Sequence, residues 1–183
     1  MLPASIPRLV NPPCTLRPFE ARDAEVVTSA AYDPLIPLIT TVPADGSPAD
    51  VDAYIQRQHE RLSWGAGYSF AIADSETDEA VGQIGLWTHE IETGRATTGY
   101  WIAPGLRRRG YARAALQALT AWALELDEVE RLHLFVEPWN EGSWRAAEAC
   151  GFEREGLLRG WQKVGDERKD MYVYGVLAAD RGS

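Results

Sequence analysis

The feature that most constrains this chain is a run of helical periodicity between two strand-like segments. From Ala112 to Leu126 apolar residues recur at i, i+3, i+4, i+7, i+11 and i+14, which is the pattern of one face of a long helix. Residues 97–102 before it are rich in β-formers and stop at Ala103-Pro104-Gly105, and residues 131–137 after it form an apolar run. The order strand, helix, strand indicates a βαβ unit with two parallel strands.

Shorter patterns predict the elements around this unit. A helix is expected to begin at Asp23, whose carboxylate can cap it, and to end at Pro34; another begins at Ser47, followed by Pro48 at its first position. The other predicted elements are strands at 68–73 and 80–91, a short helix between Asn140 and Gly151, and a closing hairpin of 152–161 with 169–177. No linker or repeat divides the chain, so a mixed-sheet α/β fold is expected.

Composition narrows the classes of partner. The 183 residues include 18 Lys and Arg against 27 Asp and Glu, a formal charge of −9, which opposes binding to nucleic acid or to an anionic membrane surface. Two cysteines, Cys14 and Cys150, are too few for a disulfide framework or a Cys-based zinc site, so a cytoplasmic protein without metal is expected. No apolar stretch has the length of a membrane span, and residues 1–13 lack the apolar run of a signal peptide.

An arginine-rich turn lies between the first strand of the unit and its helix. Four of the 18 basic residues cluster there: Arg107, Arg108, Arg109 and Arg113. Gly110 lets the backbone approach a bulky ligand, and the N–H groups at a helix start favour an anion. Because cations at a helix N-terminus are unfavourable without an anion to offset them, the turn predicts a pyrophosphate site. Its spacing differs from G-x-G-x-x-G and from G-x-x-x-x-G-K-S/T, so nicotinamide cofactors and ATP are not indicated.

The turn also carries a family resemblance. Arg107-x-x-Gly110-x-Ala112 resembles the Q/R-x-x-G-x-G/A pyrophosphate motif of the GCN5-related N-acetyltransferases (GNAT). Further blocks, in order, resemble the RimJ/RimL-type branch of that superfamily: residues 99–104 (GYWIAP), 136–143 (VEPWNEGS, with its N-x-x-S element), 148–152 with 155–159, and 170–172. The resemblance covers most of residues 14–177. It implies a single GNAT-like domain over 1–183, with a mostly antiparallel sheet, a splayed central parallel strand pair and flanking helices.

The resemblance also implies a site for acyl-CoA. The pantetheine arm would pair with the main chain of Trp101, Ile102 and Ala103, and Asn140 would hydrogen-bond it. Arg107 or Arg113 would reach the outer phosphates, and Arg145 is a further candidate contact to the nucleotide. The pyrophosphate would be held by backbone N–H groups of the turn and helix start, namely Arg108, Arg109, Gly110, Tyr111, Ala112 and Arg113.

Acyl transfer to an amine requires a neutral amine, a polarised thioester carbonyl and a proton for the departing thiolate. Ser143, which matches the serine of the N-x-x-S element, is the expected proton donor. The family's glutamate before the GYW strand is replaced by Thr98, which cannot accept a proton at neutral pH. His89, Glu90 and Glu92 at the end of the preceding strand are alternative bases, and an acceptor that is already partly deprotonated would need none.

The resemblance implies an acyl-CoA-dependent N-acyltransferase that transfers its acyl group directly, as a monomer or homodimer. Acetyl-CoA is the default donor, and succinyl-CoA is an alternative. The acceptor is expected to be the α-amine of a protein N-terminus or a small amine, and the charge of −9 favours a cationic one such as a basic ribosomal protein. The alternatives are a non-catalytic acyl-CoA-binding sensor or interaction module, consistent with Thr98, and a structural protein that binds anions.

Tryptophan and cysteine positions complete the expectations. Trp87, Trp101 and Trp122 lie inside predicted elements and are interpreted as packing. Trp64, Trp139 and Trp161 lie at element ends, where they could line an acceptor cleft. Cys150 precedes the helix-ending Gly151 and is interpreted as a structural thiol rather than a nucleophile.

Overall fold

The computed structural model describes residues 1–179, which form a mixed eight-stranded sheet with helices on both faces. The strands are β1 (Leu9–Asn11), β2 (Cys14–Arg17), β3 (Gly67–Asp74), β4 (Ala80–Trp87), β5 (Arg95–Ile102), β6 (Arg131–Val136), β7 (Glu153–Val164) and β8 (Glu167–Leu177). The helices are α1 (Ala24–Ala31), α2 (Ile36–Ile39), α3 (Pro48–Ser63), α4 (Tyr111–Ala123) and α5 (Glu141–Ala149). The sheet order is β1-β2-β3-β4-β5-β6-β8-β7, and among these strands only β5 and β6 pair in parallel.

The βαβ unit of β5, α4 and β6 lies at the centre of the fold, as the helical periodicity predicts. The apolar face of α4 packs on one side of the sheet, where Ala115, Leu116 and Leu119 are fully buried. The other side is covered by α1 and α3, which bury Val27 and Tyr54 among other residues. The prediction of an α/β fold with a mixed, mostly antiparallel sheet is therefore confirmed.

The parallel pair separates after a short ladder. Three residue pairs join β5 to β6, the last being Thr97 with His133, although β5 continues to Ile102 and β6 to Val136. The outer edges of both strands stay paired, β5 with β4 and β6 with β8. The sheet is thus split at its centre, at the carboxyl ends of its parallel strands, which is the splayed pair that the resemblance implies.

Several details differ from the sequence predictions. The strand expected at 80–91 ends at Trp87, and residues Ile91–Thr93 form a 3-10 turn that reverses the chain into β5. The short strands β1 and β2 and the single turn of α2 were not predicted, because each has three or four residues and Pro lies within or beside them. Asp23 precedes α1, but its carboxylate binds Arg17 and the N–H of Glu20 rather than capping that helix.

Residues 180–183 of the expected domain lie outside the described residues. Within residues 1–179, the helices are all too short or too polar to cross a membrane.

Candidate active site

The gap between β5 and β6 opens into a cavity of about 520 Å³. Its walls come from both separated strands, through residues such as Tyr100 and Phe135, and from Asn140 and Ser143 at the start of α5. The side toward α3 is lined by Gln58, Arg61 and Trp87 together with Gln83, Thr40 and Thr41. The cavity therefore joins the splayed strands to a polar pocket beside α3.

The main-chain groups of β5 that face the gap are set by the pairing of β5 with β4. Ala103 donates its N–H to Val81 O at 2.9 Å and accepts from Leu106 N–H at 3.2 Å, so its amide is already paired. Hydrogen-bonded residues alternate along an antiparallel ladder, and the register that pairs Gln83 with Trp101 turns the Trp101 main chain toward β4 as well. The main-chain groups of Tyr100 and Ile102 are the ones directed toward the gap, and the carbonyl of Ile102 also accepts from Arg107 Nε at 3.0 Å, whereas those of Trp101 and Ala103 are directed into the sheet.

The turn before α4 has the geometry of an anion site. Gly110 caps the helix with φ +85°, in the left-handed region that favours glycine, and Arg108 also has a positive φ of +64°. Within residues 1–179, the backbone N–H groups of Arg108 and of residues 110–113 donate to no protein acceptor. Successive unpaired N–H groups at the N-terminus of a 13-residue helix form a concave site that favours negative charge.

The arginines of this turn divide into two groups. Arg107 donates from Nη2 to Asp33 Oδ2 at 2.7 Å and from Nε to Ile102 O at 3.0 Å, so it ties the turn to the loop after α1. Arg108 and Arg113 are exposed and have no carboxylate partner within residues 1–179. Of the two predicted contacts to the outer phosphates, Arg113 is the one whose guanidinium is unpaired.

Asp33 holds Arg107 with a stable negative charge. Burial opposes ionisation, but hydrogen bonds from the N–H groups of Ile36 and Leu35 and from Arg107 hold the pKa of Asp33 below its ordinary value. Elsewhere, Arg145 forms an ion pair with Glu141 one turn earlier on α5 at 2.5 Å. The structure shows no contact of Arg145 with the phosphate turn.

Two hydroxyl groups meet across the gap. The Oγ of Ser143 lies 2.9 Å from the hydroxyl of Tyr100, and the N–H of Ser143 donates to Asn140 Oδ1 at 3.3 Å. Asn140 thus caps α5 as predicted and also lines the cavity. Burial raises the pKa of Tyr100 to about 12, with the Ser143 hydrogen bond acting in the opposite direction, so the phenol keeps its proton at neutral pH.

The structure separates the candidate bases. His89 lines the cavity, whereas Glu90 is ion-paired to Arg95 at 2.7 Å and lies, like the exposed Glu92, outside the cavity lining. Glu137, 9% exposed, is the one carboxylate in the lining, and its Oε2 accepts from Trp139 Nε1 at 2.8 Å. Thr98 also lines the cavity, and within residues 1–179 its buried Oγ1 has no hydrogen-bond partner.

Three of these residues were missed from the sequence. Tyr100 and Glu137 belong to the resembling blocks; Tyr100 lies within β5 and Glu137 directly follows β6, which was the available signal. Arg61 had no such signal, because a basic residue in the last turn of a helix is already explained by the helix dipole.

The fold and the site define a class of protein. A central parallel pair that splays beside a glycine-capped helix start is the arrangement expected of a GNAT-type acetyltransferase. A comparison with protein families agrees: residues 14–153 match the acetyltransferase (GNAT) domain. The chain belongs to the GNAT acetyltransferase family.

Individual relatives span nearly the whole chain. An uncharacterized N-acetyltransferase, p20 of Bacillus licheniformis, is 29% identical over 163 residues, which are 89% of this chain and 92% of p20. The structure of RimJ from Mycobacterium smegmatis in complex with CoA-disulfide has a TM-score of 0.80 at 22% identity, covering 97% of this chain and 89% of RimJ. RimL, a ribosomal L7/L12 alpha-N-protein acetyltransferase in complex with coenzyme A, has a TM-score of 0.77 at 16% identity, covering 93% and 98%. The expected similarity to RimJ/RimL-type proteins is thus confirmed in the fold.

Proposed function

We propose that this acetyl-CoA-dependent N-acetyltransferase moves the acetyl group directly from the thioester to a primary amine, which belongs to a small molecule or to a protein N-terminus. The observation that carries the proposal is the cavity between β5 and β6, which has the Tyr100–Ser143 hydroxyl pair in its wall and is bounded by β5, the strand that leads into the glycine-capped turn before α4. A donor and an acceptor can meet in this cavity without a covalent enzyme intermediate.

The residues of the chain suit a CoA thioester. The unpaired N–H groups of residues 110–113 would hold the pyrophosphate, with the exposed guanidiniums of Arg108 and Arg113 beside it. The main chain of Tyr100 and the N–H of Ile102, whose carbonyl already accepts from Arg107 Nε, would pair with the amides of the pantetheine arm, and the side-chain N–H₂ of Asn140 would add a donor. This arrangement runs the arm along β5 and brings the sulfur toward Tyr100 and Ser143.

The chemical steps then follow from the hydroxyl pair. The amine nitrogen attacks the thioester carbonyl carbon, and the tetrahedral intermediate collapses by breaking the C–S bond. The CoA thiolate takes a proton from Ser143, which recovers it from the Tyr100 hydroxyl at 2.9 Å. The proton lost by the amine goes to a base and returns through solvent to the hydroxyl pair, so the enzyme ends each turnover unchanged.

His89 and Glu137 are the candidate bases, because both line the cavity. Glu137 is held in one orientation by Trp139, and its second oxygen accepts no hydrogen bond from residues 1–179. His89 is exposed, which suits exchange of a proton with solvent. Glu90 and Glu92 would have to act through movements of the chain that bring them to the cavity.

Acceptor-dependent release of CoA thiol from acetyl-CoA tests this function. The panel contains polyamines, aminoglycosides, free amino acids and N-terminal peptides, including ribosomal ones, and acetyl-CoA binding is measured separately by calorimetry. We expect release with one class of acceptor. Acetyl-CoA binding without release for any acceptor would contradict transfer. It would favour a non-catalytic acyl-CoA-binding module, the alternative that is consistent with Thr98 in place of the family's glutamate.

A further inference from the structure

The side of the cavity toward α3 contains a guanidinium that the transfer chemistry does not use. Arg61 lies in the last turn of α3, lines the cavity, and has no carboxylate within ion-pair distance among residues 1–179. The remaining lining has a single carboxylate, Glu137. The cavity lining therefore has one cationic and one anionic side chain, in contrast to the net charge of −9 of the whole chain.

A buried polar network fixes the direction of this guanidinium. Gln83 donates to Ser69 Oγ at 3.1 Å, and Ser69 donates to Gln58 Oε1 at 2.9 Å. The same Gln58 oxygen accepts from Arg61 Nε at 3.0 Å, and Thr41 Oγ1 accepts from Arg61 Nη2 at 3.2 Å. Two of the five guanidinium N–H groups are used in this way. The other three have no acceptor in residues 1–179.

An aromatic surface supports the same group. The Arg61 guanidinium carbon lies 4.7 Å from the centre of the Trp87 ring, and the indole lies over two glycines: a Cβ on Gly85 would come within 2.2 Å of it and one on Gly99 within 4.0 Å. Gly85 thus makes room for the Trp87 ring, whereas a Cβ on Gly99 would be in ordinary contact with it, and the Trp87 ring and Arg61 both line the cavity. Arg61 and the hydroxyl pair of Tyr100 and Ser143 line the same cavity.

This arrangement has an electrostatic cost unless an anion occupies it. Burial lowers the pKa of Arg61; Tyr54 opposes this by raising it, and the neighbouring Arg57, with a smaller effect than Tyr54, lowers it further. A partly desolvated guanidinium with its outer N–H groups unpaired matches the geometry of a carboxylate, which accepts two parallel hydrogen bonds. One guanidinium balances one negative charge, which favours a carboxylate over a phosphate.

We propose that Arg61 binds a carboxylate of the acceptor, so that the acceptor is an amine that carries a carboxylate in the same molecule. This inference rests on the proposed function and names its substrate class. The carboxylate can be that of a free amino acid or an acidic side chain next to the N-terminal residue of a peptide. The acceptor's amine then lies toward Tyr100, with Glu137 and His89 in the same cavity.

The test compares matched acceptors on matched variants. Free amino acids are compared with their amides, and peptides with Asp at the second position with peptides that have Asn there, using acetyl-CoA at saturation. For either the amino acids or the peptides, we expect kcat/KM to be about 10- to 100-fold higher for the acceptor with the carboxylate than for its amide counterpart. This is the range given by a charge-assisted hydrogen bond. Arg61→Gln should reduce that ratio to about one while donor KM stays unchanged.

Arg57→Gln is the matched control. Arg57 lies one turn earlier on α3 and donates to Thr41 O at 3.2 Å, but it is absent from the cavity lining, so this variant should retain the acid-to-amide ratio. Arg61→Lys keeps the charge without the planar fork and should retain part of the preference, which guards against a folding defect in Arg61→Gln.

The outcomes separate the two proposals. Equal turnover of acids and amides would overturn the carboxylate assignment and leave the transferase function intact. The carboxylate assignment would also be overturned if Arg61→Gln changed only the donor KM and the parent protein preferred succinyl-CoA over acetyl-CoA. Arg61 would then bind the acyl group of the donor. If no acceptor turns over, calorimetry of amino acids with the CoA-loaded protein decides: binding lost in Arg61→Gln supports the assignment, and equal binding of acids and amides rejects it.

Discussion

Arg107 Nη2 donates to Asp33 Oδ2 at 2.7 Å, a contact that joins the phosphate turn to the loop after α1 across 74 residues of sequence. Asp33 is 7% exposed, and its other oxygen accepts the N–H groups of Leu35 and Ile36. One carboxylate therefore fixes two loops, and an arginine that the motif assigns to the ligand is held by the protein itself.

Replacing Asp33 should weaken folding in a pH-dependent way. Asp33→Asn keeps an oxygen for the backbone N–H groups but removes the charge that Arg107 binds, so we expect a loss of about 1–3 kcal/mol in the free energy of unfolding at pH 7. Because the folded pKa of Asp33 lies below its ordinary 3.8, this contribution is present above that value and is lost as the pH falls through the folded pKa. Urea titrations of both proteins between pH 2 and pH 7 measure it. Asp166→Asn, at an exposed turn, is the control, and a pH-independent difference would contradict the charge argument.

Gly110→Ala should impair donor binding more than folding alone explains. Gly110 has φ +85° and Gly65 has φ +69°, and neither has an atom within 3.8 Å of an added Cβ. Both alanine variants should lose about 1 kcal/mol of stability, because a left-handed backbone is strained by a Cβ. Only Gly110→Ala should raise the Kd for acetyl-CoA, severalfold or more, since relief of the strain moves the anion-binding N–H groups. If calorimetry gives Gly110→Ala and the parent protein the same affinity for acetyl-CoA, the turn does not bind the donor.

The elements that were predicted are those whose periodicity extends over several turns or a full strand. Helix α4 repeats its apolar residues over four turns, and its core positions can be read from spacing. By contrast, β1 and β2 have three and four residues, too few for alternation to stand out from chance. The pairing of β2 with β3 is a long-range contact, which local pattern does not contain.

The site was predicted where local sequence creates it and missed where tertiary contacts do. The phosphate turn and the Asn140 cap are set by adjacent residues, and both lie where they were expected. Tyr100 and Ser143 are 43 residues apart and meet because β5 and β6 separate. Trp87, interpreted as packing, also lines the cavity and contacts Arg61 of α3, a relation that depends on tertiary packing.

The bidentate pair of Arg17 and Asp23 should be a main contributor to stability near the sheet edge. Both side chains are 2% exposed, and the two hydrogen bonds measure 2.8 and 2.9 Å. Asp23→Ala leaves a buried guanidinium whose remaining carboxylate contacts are weaker, so we expect a loss of about 3–5 kcal/mol in urea denaturation. Replacing both residues, as Arg17→Met with Asp23→Leu, should cost less than Asp23→Ala alone, because no buried charge is left unpaired. A larger loss in the double variant would show that Arg17's bonds to Pro18 and Asp78 carry the stability.

Neither cysteine should take part in transfer. Burial raises the pKa of Cys150 to about 11 and that of Cys14 to about 12, so both remain thiols at neutral pH and are weak nucleophiles. We therefore expect Cys150→Ala to retain the kcat of the parent protein and native alkylation by iodoacetamide to be slow. Initial-rate kinetics should show intersecting rather than parallel lines, as direct transfer requires. Loss of activity in Cys150→Ala, together with parallel lines, would indicate an acyl-enzyme.

The Tyr100–Ser143 pair should act as one proton donor. Tyr100→Phe removes the group that replenishes Ser143, and Ser143→Ala removes the group nearest the sulfur, so each should lower kcat about 100-fold with little change in donor KM. The double variant should be little worse than either single one, because each change disables the same path. Since burial holds the pKa of Tyr100 at about 12, the neutral phenol persists through the assay range, and kcat should show no alkaline decline from this group below about pH 11. Additive losses, or an alkaline limb near pH 9 that Tyr100→Phe abolishes, would assign the proton to a different route.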